Sequence, residues 1–290
     1  MGMGRDRIES KSIDRNCERE NHRKCCEILN ILFNGELVSD LVLPASGDPG
    51  RNGWLLGDGI FETLKSIDGK IWAFSHHLDR AYKSGAILGL VLPIRSDVEV
   101  GMQKLLQATK DIEHGRIRIT FLSNGDWVAT HKVLELSNKK LSVIDYQYPK
   151  NENSILAGIK TLSYGENAHA LRVAHSAGAD DVIFRNLAGN VAESAVANVL
   201  WESDGKFFTP PLSSGCLPGI TRALLIENFG VAERDATPAE LQNCRASYLL
   251  SSAKGIRPIN RYNNTENQGS ASGAKLISEF NDWVWSKLAP

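Results

Sequence analysis

Apolar and polar residues alternate along this chain with two different periods, and turn residues mark where the period changes. Between Ile28 and Val38 two short apolar stretches are joined by Asn34-Gly35, a pair that suits the two left-handed positions of a tight hairpin. After a Gly- and Pro-rich loop over 44–53, residues Ile60–Ile67 alternate like a half-buried strand. Asp68-Gly69 then turns the chain into a second strand over Lys70–Phe74. From Ser75 the pattern becomes helical, with Leu78, Tyr82 and Gly85–Leu88 on one face, and a second helix is predicted over Asp97–Lys110. Strands are predicted at 116–122, 132–136 and 141–147. The second half opens with a helix around Asn167–Ala177, followed by strands at 181–184, 196–202 and 206–210. A Pro-, Ser- and Gly-rich segment over 209–219 leads directly into a helix over 220–230. Two more strands follow at 247–252 and 256–261. The last helix spans Ala271–Leu288 and carries Leu276, Phe280, Val284 and Leu288 on one stripe.

Helices and strands in this order predict an α+β fold in two lobes. The divisions read from the sequence are a charged extension over 1–27, a small N-terminal α/β domain over 28–148, a polar linker over 149–158 and a larger C-terminal domain over 159–290. Residues 1–27 hold almost nothing apolar to bury and lack the apolar core of a secretory signal, so they read as a disordered extension. The whole chain has 290 residues, 42% hydrophobic and 23% charged, which is ordinary for a globular protein. A net charge of −1 offers no global field for nucleic acid or an anionic membrane, and no apolar run is long enough to span a bilayer. Five cysteines, two of them adjacent at 25 and 26, make a poor disulfide framework, and no second pair stands at zinc-ligand spacing. Reduced thiols, a cytoplasmic location and no metal site are the expectations.

Three segments look built for chemistry. In SSGCLPGITR, residues 213–222, glycine and proline shape a turn that runs at once into a helix, whose first N–H groups and dipole suit an anion such as phosphate; the Thr221 hydroxyl adds a donor. In AGIKTLSYGEN, residues 157–167, Lys160 is either a strand-end cation with its stem on apolar surface or a desolvated amine able to form a Schiff base. In GNVAESAVANVLW, residues 189–201, Glu193 falls at an inward-facing kink, where a carboxylate needs a partner, either an arginine or a cationic heterocycle nitrogen. Amine, acid and phosphate donors are the three things that pyridoxal phosphate requires of a protein.

With these segments in view the chain resembles the class IV aminotransferase family, the fold-type-IV pyridoxal phosphate enzymes. That family includes branched-chain aminotransferases, D-amino acid transaminases and 4-amino-4-deoxychorismate lyases. The resemblance covers about residues 30–290 and rests on four blocks in family order: GDGIFETLKSIDGKIWAFSHHLDR (57–80), LAGIKTLSYGENAHALRVAHSAGADDVIF (156–184), GNVAESAVANVLWESDGKFFTPPLSSGCLPGITR (189–222) and YLLSSAKGIRPI (248–259). It implies a small α/β lobe and a larger lobe with a β-barrel-like core, a cofactor between them, and a homodimer. By position in the motifs, Lys160 matches the lysine that bonds the cofactor and later moves protons, and Glu193 matches the acid beside the pyridine nitrogen. Arg80 in HLDR, Ile220 and Thr221 in PGIT, and Ser252 in LLSSAKG match the phosphate-binding positions, and Tyr164 matches a tyrosine that donates to the cofactor phenolate in branched-chain enzymes.

The same resemblance leaves the reaction to the substrate pocket. Thr63 stands where branched-chain enzymes usually carry glycine, and the blocks at 157–167 and 210–222 are similar to lyase-like members. FLSNGDW at 121–127 lacks the Ser-Arg-Gly of many lyases and D-amino acid enzymes. Arg116 and Arg118 alternate on one strand, as a carboxylate clamp or as surface charge, and Lys254 and Arg257 depart from the common pattern in a way that suits an acidic substrate. The expectation is a lyase converting aminodeoxychorismate to 4-aminobenzoate and pyruvate. The alternatives are an amino-acid transaminase with a 2-oxo acid acceptor and, more remotely, a non-catalytic binding protein of the same fold. In each enzymatic case the partner is a small-molecule amine or amino acid.

Overall fold

The computed structural model describes residues 31–39, 53–135 and 139–288. The expectations for 1–27, including Cys17, Cys25 and Cys26, lie outside the described residues, as do 28–30.

Small-lobe strands are β1 (Ile31–Phe33), β2 (Glu36–Val38), β3 (Gly59–Ile67), β4 (Lys70–Ile71), β5 (His114–Leu122) and β6 (Trp127–Val133), with helices α1 (Gly53–Leu56), α2 (Phe74–Leu88) and α3 (Arg95–Ala108). They form one antiparallel sheet in the order β2-β1-β6-β5-β3-β4. Both expected hairpin turns have left-handed pairs, Asn34-Gly35 at φ 47° and 87° and Asp68-Gly69 at φ 48° and 73°. Alternation then sorts β3 and β5 into two faces. Ile60 and Leu64, with Ile117, Ile119 and Phe121, pack under Leu78, Ala81, Val98, Met102 and Leu105 of α2 and α3. The opposite face carries Phe61 and Thr63 beside Arg116 and Arg118, with Thr63 directly across from Arg118.

Larger-lobe strands are β7 (Leu141–Asp145), β8 (Asp181–Arg185), β9 (Val191–Ser194), β10 (Asn198–Ser203), β11 (Lys206–Thr209), β12 (Ala232–Glu233), β13 (Ala246–Ser251), β14 (Gly255–Tyr262) and β15 (Thr265–Glu266). They run in the order β12-β11-β10-β13-β14-β7-β8-β9, with β15 on β14. At the far edge, the tight turn from β9 back into β10, closed by Ser194 N–H on the Ala197 carbonyl (2.8 Å), curls the sheet toward a barrel. Val143, Ile183, Val191, Val199, Trp201, Leu249 and Ile259 fill it. Outside it, α4 (Gly165–Ser176) covers β8, while α5 (Ile220–Phe229) and α7 (Ala271–Leu288) cover β10 and β13; α6 (Pro238–Gln242) is short. The apolar stripe of α7 is buried as its spacing predicts, at Leu276, Phe280 and Val284, each contributing about 1.5–3 kcal/mol of transfer free energy. Trp72 of the small lobe joins this cluster, edge-on to Trp283 at 5.7 Å, and Lys70 donates to the Leu288 carbonyl at 2.8 Å, so the lobes are fastened together.

Several elements differ from the sequence reading. The strand at 141–145, expected within the first lobe, pairs in parallel with β14 and β8 in the second sheet. Its alternation records burial, and burial is the same in either sheet. The strand expected at 132–136 is instead β6, which starts at Trp127 because the chain reverses at Gly125 (φ 88°) and pairs immediately with β5. β4 is only two residues long, since Ala73 enters the left-handed region (φ 51°) and starts α2. Glu193 lies within β9, opposite Phe184, and the irregularity is on the far side, between Phe184 and Arg185.

Candidate active site

Lys160 is held by its backbone. Its carbonyl accepts from Phe61 N–H (2.9 Å), and Leu162 N–H bonds the Gly59 carbonyl (2.9 Å), so the segment is stapled along the start of β3. Lys160 is therefore not in a long strand but beside one, and its amine sits 4.2 Å from the centre of the Phe61 ring. Burial is the largest influence on that amine and, with the charges of Arg80 and Arg118, lowers its pKa to about 8 against the opposing pull of Glu62 and Glu193. An amine near 8 is nucleophilic at mildly alkaline pH, where an ordinary lysine is almost wholly protonated. The rate at which apoprotein captures an aldehyde cofactor should therefore climb about tenfold per pH unit below 8 and level off above it. Stopped-flow absorbance checks this, and a rise continuing toward pH 10 would contradict it.

Glu193 is buried on β9. One carboxylate oxygen accepts the Leu217 N–H (2.9 Å) and the other pairs with the Lys150 ammonium. Near it, the Tyr164 hydroxyl donates to the Ala195 carbonyl (2.6 Å), which also accepts from the Asn167 amide (2.8 Å). Burial, reinforced by Glu193 and Asp181, pushes the Tyr164 phenol well above its ordinary range, so it stays a donor. Asp181, raised to about 6 by burial, accepts the Ala195 N–H (3.0 Å) and so braces the turn that follows Glu193.

At the other end lies the start of α5. Its first N–H groups have no intrahelical acceptor. The Thr221 hydroxyl is buried and has no hydrogen-bond partner, an unsatisfied donor that a phosphate oxygen would satisfy. Gly219 precedes the helix, and a Cβ there would fall 1.8 Å from the Asn198 side-chain oxygen. Gly219→Ala should weaken cofactor affinity about tenfold or more while far-ultraviolet dichroism stays unchanged; unaltered affinity in an absorbance titration would show that this approach does not matter. Arg80 reaches the same place from α2. It binds Glu62 through Nε (2.8 Å) and Nη2 (2.6 Å), and donates to the Pro218 carbonyl (3.0 Å). Ser252 is in the turn between β13 and β14.

Lys160, Arg80, Tyr164, Glu193, Ile220, Thr221, Ser252, Thr63 and Arg118 all line one cavity of about 610 Å³ between the lobes. Arg118 lies 3.7 Å over the Phe61 ring, with Arg116 on the same wall and Lys254 at the rim. Arg257 is not brought there: it donates to the Lys139 carbonyl (2.7 Å) on the outside of the sheet. Residues unassigned in the sequence reading also contribute. Lys150 lies in the polar stretch over 149–158 whose composition predicts a linker, and Glu62 bonds both His77 and Arg80. The FET and HHLDR blocks contain Glu62 and His77, but alternation alone gives Glu62 no sign of its partners. Among the described residues no group of three or more His, Cys, Asp or Glu is placed to hold a metal ion, and no helix is long and apolar enough to cross a membrane.

This arrangement has relatives. D-alanine aminotransferase of Listeria innocua is 25% identical over 253 residues, 80% of this chain and 86% of that protein. The bifunctional aminodeoxychorismate lyase / D-amino acid transaminase of Mycobacterium tuberculosis is 28% identical over 229 residues, 68% and 78% of the two chains. The fold is shared with a solved hypothetical aminotransferase of Mycobacterium tuberculosis in its PLP-bound form, with TM-score 0.78 and 24% identity over 88% of this chain and 98% of that one. The amino-transferase class IV profile matches residues 59–262, and the chain belongs to that family of pyridoxal phosphate-dependent transaminases and lyases.

Proposed function

We propose that this protein is an aminodeoxychorismate lyase, releasing pyruvate from aminodeoxychorismate to leave 4-aminobenzoate. Bound in the cavity, pyridoxal phosphate would supply an aldehyde that condenses with an amine and a ring that accepts the electron pair left when a carbon beside nitrogen loses its proton. The chain's own residues divide the remaining work. Thr221, the first amides of α5 including that of Ile220, Ser252 and Arg80 would hold the phosphate. Glu193 would pair with the ring nitrogen and keep it protonated. Tyr164, held by its edge contact to the Phe61 ring at 5.5 Å and by its bond to the Ala195 carbonyl, would border the cofactor ring. Lys160 would bond the cofactor's aldehyde carbon and, as a free amine, would take the proton from the substrate carbon beside nitrogen.

The observation that carries the lyase reading is the cavity wall formed by β3 and β5. Thr63 and Arg118 face each other across two strands, Arg116 follows on the same face, and the cavity of about 610 Å³ has room for a ring bearing two carboxylates. The Thr63 hydroxyl lines the same cavity and would be available to the reacting centre. Elimination is internally balanced: the carbon–oxygen bond to enolpyruvate breaks as the ring proton leaves, and aromatisation drives the step, so no second substrate is needed. A second reading, amino-acid transamination, is favoured by the similarity to D-alanine aminotransferase. Purified holoenzyme given aminodeoxychorismate without any 2-oxo acid should release 4-aminobenzoate. Silence there, together with amino transfer from an L- or D-amino acid to 2-oxoglutarate, would select the transaminase. The same reading includes a cytoplasmic homodimer, for which light scattering should give twice the chain mass.

A further inference from the structure

Glu193 is paired with a cation that the cofactor reading does not use, Lys150. Its backbone is fixed: Lys150 N–H donates to the Arg185 carbonyl (2.8 Å), and the residue bridges Asn186 beside β8. Its ammonium lies 5.8 Å from the Phe184 ring centre and ends on the Glu193 carboxylate. The two side chains are 16% and 9% exposed, so the pair is largely desolvated and its Coulomb coupling is stronger than that of a surface bridge. A carboxylate offers about four acceptor positions. Lys150 and the Leu217 amide occupy two of them, which leaves room for a third donor.

We propose that Lys150 is a positioning residue of the cofactor site: it aims Glu193 and shares its carboxylate with the ring nitrogen, and so limits how firmly that nitrogen holds its proton. The inference rests on the reading of Glu193 as the ring-nitrogen acid. Two cations on one carboxylate repel each other. Lys150 thus sets the electron demand of the ring, stabilising the acid's charge and geometry while opposing excess positive charge beside it. The other groups coupled to Glu193 are Lys160 and Tyr164 beside the start of β3 and Cys216 of the loop before α5, with Arg118 acting on both Lys160 and Tyr164 from β5 and Asp181 acting on Tyr164 from β8.

The test uses holoenzyme in four forms, wild type, Lys150→Met, Glu193→Gln and the double variant, with Lys150→Arg as rescue. The readout is the pH midpoint of the ring nitrogen itself, followed as the nitrogen-15 NMR shift of holoenzyme loaded with nitrogen-15-labelled pyridoxal phosphate, which requires no turnover. Lys150→Met should raise the midpoint by about one unit, Lys150→Arg should restore it, and the effect of Lys150→Met should be clearly smaller once Glu193 is glutamine. If Glu193→Gln shifts the midpoint but Lys150→Met does not, or lowers it, Lys150 is only a structural partner and the inference falls. If Glu193→Gln itself leaves the spectrum unchanged, the acid is not at the ring nitrogen, and the underlying reading fails with it. Lys150→Arg retains the fold-supporting charge, so a midpoint displaced in that variant as far as in Lys150→Met would also overturn the role given to charge.

Discussion

Lys160→Ala should lower turnover by roughly 10⁴-fold and remove the adduct that borohydride traps in the wild type. The expectation follows from where the amine sits. Backbone bonds to Phe61 and from Leu162 to Gly59 fix its origin, and burial brings its pKa to about 8. No other lysine of the cavity combines these features: Lys150 is engaged by Glu193, and Lys254 is in the exposed turn after Ser252. Alanine at 160 removes both the covalent anchor and the base, two roles that do not add independently because one atom performs both. Cofactor should still bind through its phosphate contacts, at reduced affinity. An alanine variant that retains a reducible adduct would move the covalent bond to another side chain.

Glu62→Gln should be the most damaging substitution for stability in this site. Glu62 is buried in β3 between Arg80 and His77, with His77 Nδ1 at 2.7 Å. Burial alone would raise its pKa, but the Arg80 charge and the bonds from His77 and Arg80 overcome that and hold it at about 2, below the ordinary 4.5. Burial lowers the pKa of His77, so the ring is neutral and donates through Nδ1 to the carboxylate. Removing the charge strands Arg80, and breaking a buried pair of this kind costs about 3–5 kcal/mol at pH 7. Because Glu62 stays ionised in the folded protein down to about pH 2 but protonates near 4.5 when unfolded, its stabilisation is complete above 4.5 and fades as pH falls toward 2. The shift corresponds to roughly 3 kcal/mol. Denaturant melts of wild type and variant should thus differ most near neutrality and converge between pH 4.5 and 2. A gap that persists unchanged at pH 2 would mean that packing, rather than ionisation, explains the loss. Arg80 also grips the Pro218 carbonyl, so cofactor affinity should fall together with stability.

The sequence disclosed local features far better than the partners of its polar residues. Asn34-Gly35 and Asp68-Gly69 dictate hairpins through backbone sterics alone, and the stripe on the last helix needs only a nearby apolar surface, so both could be read directly. Lys160, Glu193 and Thr221 stood out because each is a polar group in an apolar or glycine-shaped setting. Glu62 did not: it shares the inward phase of Ile60 and Leu64, but nothing in the strand names its partners, which α2 supplies as His77 and Arg80. Lys150 lay in a polar stretch whose composition predicts a linker, although its backbone bonds to β8. β9 is four residues long with a glutamate inside it, too short for any period to register. The small helix α6 was open to reading: Thr237-Pro238-Ala239-Glu240 spells a capping box with proline at the first helical position, and both reciprocal bonds are made. Sheet membership of β7 depends on long-range pairing that carries no local signature.

The most direct trial of this account is peptide mapping of the holoenzyme after borohydride reduction. Mass spectrometry should find the pyridoxyl group on the peptide that contains Lys160, at one group per chain. Recovery of the label on Lys150, on Lys254 or on no peptide at all would contradict it.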